Sequence, residues 1–276
     1  MKVLLLGTGT SHGVPVIGCE CNVCLSKDVK DTRTRSSCFI TANDGTCVLI
    51  DVGPDFRQQA LRYAIKKIDG LFLTHSHADH LHGLDDLRIF ASTAHVKKGI
   101  PVEPLPIYGN EKALNDLKKR FSYVFNPTQE GGGKPIVACQ SVFDFSKEIA
   151  IGSLLFQPIP IKHGNLDVCG WLVREKNCNN VSPAFAYITD CSFISEESKK
   201  KLRGVQHLVI DGLRERKHET HFSFEEAIQV GIEVQAQHIW LTHICHDFSH
   251  EEIVEKCQAL SKHALPAYDG LTLEFG

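Results

Sequence analysis

Three imidazoles and a carboxylate fall within six residues at His75-Ser76-His77-Ala78-Asp79-His80. Imidazole nitrogens and carboxylate oxygens are ligands for zinc, manganese or iron, so this density points to metal chemistry. Alternate residues of an extended segment share a side, which lets His75 and His77 reach one ion. As the chain turns into a helix, Asp79 and His80 can reach a second. Three more candidates share a single placement: His163 follows the apolar run Pro158–Lys162, Asp190 follows Ala186–Thr189 and His243 follows Ile239–Thr242. Each ends a predicted strand, and strand ends along one rim of an α/β sheet are where such folds gather functional groups. Separately, Cys19-x-Cys21-x-x-Cys24 supplies three thiols at a spacing suited to three corners of a tetrahedral zinc, the fourth ligand coming from elsewhere.

The elements that must position these groups alternate. Strands are predicted at Thr46–Ile50, Gly70–Leu73, Leu154–Ile161, Ala184–Ile188, His207–Ile210 and His238–Leu241. Helices are predicted over Asp55–Ala64, with Phe56, Ala60 and Leu61 on one face, and over Phe224–Val234, where Ser223 and Glu226 form a capping box. Ser249 and Glu252 repeat that signature before the last helix. Ile136–Phe156 reads as consecutive strands without helices, so the fold is mixed. Thr128–Lys134, with three consecutive glycines, is a predicted loop. Two nucleotide-binding patterns fail: Gly7-Thr8-Gly9 lacks the third glycine, its place being taken by His12, and Gly131–Lys134 lacks P-loop spacing.

The chain has 276 residues, 42% of them hydrophobic and 23% charged, with a net charge of −3 at pH 7. One α/β domain over 1–276 is expected, and the charge provides no field for holding a nucleic-acid backbone. No run approaches the roughly 20 apolar residues of a membrane span. The N-terminal Met1–Gly7 reads as a strand, and 11 cysteines, irregularly spaced, suit free thiols in a reducing cytoplasm.

The sequence resembles the metallo-β-lactamase-fold hydrolases, whose signature is His-x-His-x-Asp-His followed by a distant His, Asp and His. It is similar to the branch containing the 5-phosphoribosyl 1,2-cyclic phosphate phosphodiesterase. The likeness runs through Gly7-Thr8-Gly9-Thr10-Ser11, Gly18-Cys19-Glu20-Cys21-Asn22-Val23-Cys24, Arg35-Ser36-Ser37, Asp51-x-Gly53-Pro54-Asp55-Phe56-Arg57, the histidine box and Ala267-Tyr268-Asp269-Gly270. It implies an αβ/βα four-layer sandwich of two mixed β-sheets flanked by helices. It implies two catalytic divalent metals, zinc or manganese: His75, His77 and His163 would hold one, Asp79, His80 and His243 the other, and Asp190 would bridge them. Asp51 would support the histidine box. It further implies one structural zinc completed by His246, with Cys245 a competing fourth ligand.

The expected activity is hydrolysis of a small cyclic or nucleotide-like phosphodiester by a metal-bridging hydroxide, on a centre of small net positive charge that suits a diester monoanion. Asp79 and His221 are its expected catalytic residues. His221, just before the helix cap Ser223, would protonate the departing alkoxide, with His218 as the alternative. Arg57 and Arg88 are read as solvated helix faces or as contacts to a second phosphate or the sugar. Arg214, Arg216 and Lys217, interleaved with Glu215 and Glu219, read as a solvated loop.

A tRNA 3′-processing nuclease would insert its tRNA-binding arm between the third histidine and the bridging aspartate, where only 27 positions are available. A thioesterase of glyoxalase-II type would need a helical C-terminal domain, but the chain ends 33 residues after His243. A non-catalytic metal-bearing sensor or binding module is the remaining alternative. No stable nucleic-acid or membrane partner is expected, and a homodimer is left open.

Overall fold

Val3 and Leu5 leave the first strand on one side and Leu4 and Leu6 on the other, and both sides are apolar, so the strand must be covered twice. The computed structural model describes residues 1–91, 102–126, 133–176 and 184–275; most of the predicted Thr128–Lys134 loop lies outside them. In chain order the first half contains β1 (Lys2–Gly7), β2 (Ser37–Thr41), β3 (Cys47–Ile50), α1 (Phe56–Arg62), β4 (Gly70–Phe72), α2 (Ala78–Leu81), a 3-10 helix (Leu84–Ile89), β5 (Leu105–Gly109), α3 (Glu111–Arg120), α4 (Ser122–Phe125) and β6 (Val137–Ser141). There follow β7 (Ile149–Ile151), β8 (Leu154–His163), β9 (Leu166–Glu175), β10 (Phe185–Ile188), β11 (Phe193–Ile194), α5 (Glu196–Leu202) and β12 (His207–Asp211). Last come α6 (Phe224–Glu233), β13 (His238–Thr242), α7 (His250–Leu260), β14 (Ala264–Pro266) and β15 (Thr272–Glu274).

Two mixed sheets form. One has the order β15-β1-β2-β3-β4-β5-β6, the other β11-β8-β9-β10-β12-β13-β14 with β7 added on β8. Period-two alternation assigns each strand residue to a layer. Val48, Ile50 and Phe72 of the first sheet meet Phe156, Trp171, Tyr187 and Val209 of the second, and the Phe72 and Phe156 rings stack at 3.8 Å across the gap. On the outer face of the first sheet Leu49, Leu71 and Ile107 pack against α1, the 3-10 helix and α3. On the outer face of the second, Ile188, Leu208, Ile210 and Leu241 pack under α5, α6 and α7. This is the metallo-β-lactamase fold in four layers, helix, sheet, sheet, helix.

The elements agree with the sequence reading apart from the face of α1. Leu61 is exposed and Gln59 is buried, donating through Nε2 to Thr34 Oγ1 (2.9 Å) and Arg35 O (3.0 Å). At 100° per residue, Leu61 lies about 140° round the helix from Phe56, too far to share its face. Asp55 makes no side-chain cap; its carboxylate instead accepts from Arg35 N (2.8 Å) and Arg35 Nη1 (2.7 Å). The capping boxes at Ser223/Glu226 and Ser249/Glu252 are both formed.

At the ends of β12 and β13 away from the histidine box, His207 stacks on His238 at 4.8 Å and accepts from Trp240 Nε1 at its Nδ1 (3.1 Å). Burial and His238 lower its pKa to about 4. His250 is lowered to about 4 by burial and by Arg33 and Lys30. Both rings are neutral in the fold and gain a proton on unfolding below their ordinary value of 6.5. Their stability contribution is therefore complete above pH 6.5 and is lost as pH falls towards 4. A smaller drop in Tm between pH 7 and 5 is expected for His207→Gln than for the wild type; parallel drops would refute the assignment.

Candidate metal centre

The parallel strands β10, β12 and β13 end on one rim, and the residues just past or at those ends are Asp190, Asp211 and His243. His163 is the last residue of β8, and the histidine box follows β4 on the facing sheet. Local contacts fix the box. Leu73 N donates to Tyr108 O (2.8 Å), so β4 runs on beside β5 until the box begins. Val52 N donates to His80 O (2.8 Å) and Gly83 N to Val52 O (2.9 Å), stitching α2 to the loop after β3. Gly53 must be glycine there, because a Cβ would stand 2.1 Å from Asp79 O. From outside, α3 holds Ser76: its hydroxyl donates to Asp116 Oδ2 (2.7 Å) and Arg120 Nη1 donates to its carbonyl.

The hydrogen bonds set the tautomers. Asp51 is buried, and its carboxylate accepts from Thr74 N (2.8 Å), Thr74 Oγ1 (2.8 Å) and His80 Nδ1 (2.7 Å). With its hydrogen donated to Asp51, the Thr74 hydroxyl accepts from His75 Nδ1 at 3.0 Å. The carbonyl of Thr220 accepts from His163 Nδ1 (2.6 Å). In all three rings the proton is therefore held at Nδ1, and the Nε2 lone pair faces the centre.

Those lone pairs converge on Asp190. Its Oδ1 lies 3.2 Å from His80 Nε2 and 3.1 Å from His243 Nε2; its Oδ2 lies 3.6 Å from His75 Nε2 and 3.9 Å from His163 Nε2. Asp79 Oδ2 adds to the first group, 3.1 Å from His80 Nε2 and 3.5 Å from His243 Nε2. The His77 ring stands 4.5 Å from His75 and 5.3 Å from His163, on the other side. One carboxylate thus presents an oxygen to each of two donor groups: Asp79, His80 and His243, and His75, His77 and His163.

The donor set fits divalent cations. Among the described residues, Nε2 of His75, His80 and His243 is buried without a hydrogen-bond partner, a costly condition that coordination would relieve. Burial opposes charge on His80 and His243, yet the carboxylates outweigh it: Asp190 and Asp79 raise His80 well above its usual value, and chiefly Asp190 raises His243 to about 9. Burial likewise opposes charge on Asp190, but His243 and His80 hold its carboxyl well below the ordinary range. His75, by contrast, is held down by burial and by His80. A cation between these groups would take the place of the protons that the carboxylates otherwise draw to the rings.

His221 borders the centre, its ring 4.5 Å from His163 and stacked 4.8 Å from His243. Its Nδ1 donates to Asp211 Oδ2 (2.7 Å), an oxygen that also accepts from Cys191 N (2.7 Å). His218 lies outside His221 and is exposed, so His221 is the one that faces the ligands. Asp211 escaped the sequence reading although it ends an apolar strand just as Asp190 nearly does; that shared placement was the available signal.

The three thiols close on His246. Sγ of Cys19, Cys21 and Cys24 each lies 3.4 Å from its Nδ1. Tetrahedral zinc, with ligand distances of about 2.3 Å to sulfur and 2.0 Å to nitrogen, requires about 3.5 Å between those atoms. Cys245 stays outside this group. The N–H of Cys24 and the ring of His246 lower the Cys21 thiol to about 6, while burial pushes Cys24 up to about 11.

Arg57 and Arg88 line a groove of about 600 Å³ with Leu61, Ile65 and Ile89, beside α1 and the 3-10 helix. Arg216 pairs with Asp247 (3.6 Å) and Lys217 with Glu226 (3.4 Å). The interval from His163 to Asp190 is spent on β9, β10 and the residues joining them. Among the described residues, no helix is long and apolar enough to cross a membrane.

The model of the β-lactamase superfamily domain matches residues 46–244. A crystal structure described as a new diphosphatase from the PhnP family superposes with a TM-score of 0.85 at 38% identity, covering 99% of this chain and 96% of that one. Zinc-bound PqqB of Methylobacterium extorquens shares the fold, with a TM-score of 0.78 at 19% identity, covering 100% of both chains. A Porphyromonas gingivalis protein named octanoyltransferase is 36% identical over 98% of this chain and 51% of its own length, so the chain spans about half of that relative.

Proposed function

Because the chain belongs to the β-lactamase superfamily and within it to the PhnP family, we propose that it is a metal-dependent phosphodiesterase acting on a small cyclic or nucleotide-like phosphodiester. The observation that carries this reading is the division of Asp190: each oxygen meets its own set of histidines, with His221 beside both. His75, His77 and His163 would hold one divalent ion, Asp79, His80 and His243 another, and Asp190 would bridge them. Zinc and manganese both suit these donors. When bound, the two ions supply charge neutralisation for the phosphoryl oxygens and an acidified water for in-line attack. Cys19, Cys21, Cys24 and His246 would hold a further zinc, and its role would be structural.

The protein's own groups do the rest. Asp51, Thr74 and Thr220 keep protons on the outward nitrogens of His80, His75 and His163, so the ligand lone pairs are aimed before a substrate arrives. Asp211 fixes a proton at His221 Nδ1, which leaves Nε2 to carry the proton given to the departing alkoxide. Octanoyl transfer, named for the longer relative, is not proposed for this chain. Cys191, beside Asp190, is fully buried, and burial together with Asp211 pushes its thiol well above the ordinary value, unlike a poised nucleophile.

Manganese- or zinc-loaded protein should hydrolyse bis(p-nitrophenyl) phosphate and 2′,3′-cyclic AMP. S-lactoylglutathione should be turned over poorly or not at all. Thioester turnover in the absence of diester turnover would overturn the proposal in favour of a thioesterase.

A further inference from the structure

Thr220 serves two histidines through its backbone. Its carbonyl accepts from His163 Nδ1, and its N–H donates to His218 Nδ1 (3.3 Å), against which its own hydroxyl also lies at 3.2 Å. A backbone N–H can only donate, so the lone pair of His218 is committed at Nδ1 and the proton of the neutral ring sits on Nε2. What desolvation it has, together with the charges of His221 and Arg214, holds its pKa below the usual value. The ring centroid is 5.2 Å from that of His221. Among the described residues, ring contacts join His221 to His163, His243 and His218, but none joins His218 to a ligand histidine, so His218 extends the row outward. The charge of Arg214 reaches His218, and among the described residues its Nε is buried with no hydrogen-bond partner, whereas Arg216 and Lys217 are engaged by carboxylates.

His221 is the proton donor to the leaving oxygen in the reading above, and the inference rests on that reading. A fixed donor one ring further out would then lie nearer the leaving alcohol than the phosphoryl group. We propose that His218 is a specificity-determining residue whose Nε2–H donates to a second oxygen of the leaving alcohol, so that the site favours polyol- or nucleoside-derived leaving groups over aryl ones. Arg214 adds positive charge that reaches His218, which suits an oxygen-rich group.

The test uses metal-loaded full-length protein and two probes, 2′,3′-cyclic AMP and bis(p-nitrophenyl) phosphate. One neutral hydrogen bond corresponds to about tenfold in kcat/KM. His218→Ala should lower kcat/KM for the cyclic nucleotide by about that factor, with a change of less than about twofold for the nitrophenyl ester. His218→Gln, which keeps an N–H donor, should recover most of the loss. Equal losses on both probes, no loss on either, or failure of glutamine to recover activity would overturn the assignment. No turnover of either diester by the wild type would overturn the underlying functional reading as well, an outcome distinct from a change in selectivity.

Discussion

His221→Ala should lower kcat on 2′,3′-cyclic AMP by about 10²–10⁴, the usual scale for removing a positioned general acid, while leaving the metal content unchanged. On bis(p-nitrophenyl) phosphate the loss should be far smaller, since nitrophenolate departs without needing a proton. The asymmetry follows from placement: His221 borders the donor cluster, but its Nδ1 is spent on Asp211, leaving one nitrogen for a substrate. Asp211→Asn tests the same arrangement one residue back, as a positioning change: it should flatten the contrast between the two substrates and alter the pH profile of kcat. Equal losses on both substrates with His221→Ala would argue that the ring positions the metals and is not an acid.

The second large effect belongs to the thiol site. Cys21→Ser should remove one zinc equivalent per chain in elemental analysis and lower Tm markedly, because zinc bound by such ligands contributes on the order of 10 kcal/mol to folding in small zinc-dependent peptides. Activity should fall too, although no group at the reacting centre has been touched. His246 is only three residues past His243, so a zinc on Cys19, Cys21, Cys24 and His246 would tie the thiol loop to the segment that carries His243, a segment that Thr10 N also holds through Ile244 O (3.1 Å). An unchanged zinc count would remove this site from the account.

Local spacing made the histidine box legible: six consecutive residues need no tertiary information to be recognised as a ligand cluster. His163, Asp190 and His243 were legible because apolar runs end at them, and the rim those runs share follows from sheet topology. Asp211 went unread because a carboxylate after Leu208-Val209-Ile210 looks like any strand terminator until β10 and β12 are laid side by side. Cys245 and His246 were indistinguishable by spacing alone, since adjacent residues differ only in the direction they point. The face of α1 was misread at Leu61 because no sequence cue showed that Gln59 would turn inward to satisfy the Thr34–Arg35 loop.

Asp51, Asp190 and His243 each take a left-handed backbone, with φ of 60°, 51° and 59°, at or just past the ends of β3, β10 and β13. Such conformations favour glycine, and holding other residues in them costs of order 1–3 kcal/mol apiece. Glycine would relieve that backbone strain at each position, but at Asp51 it would strip Thr74 and His80 of their buried acceptor, and at Asp190 and His243 it would erase the centre. Their side chains are thus written against the preference of the backbone that carries them, and variants chosen for thermal stability should be screened first at these sites for silent loss of chemistry.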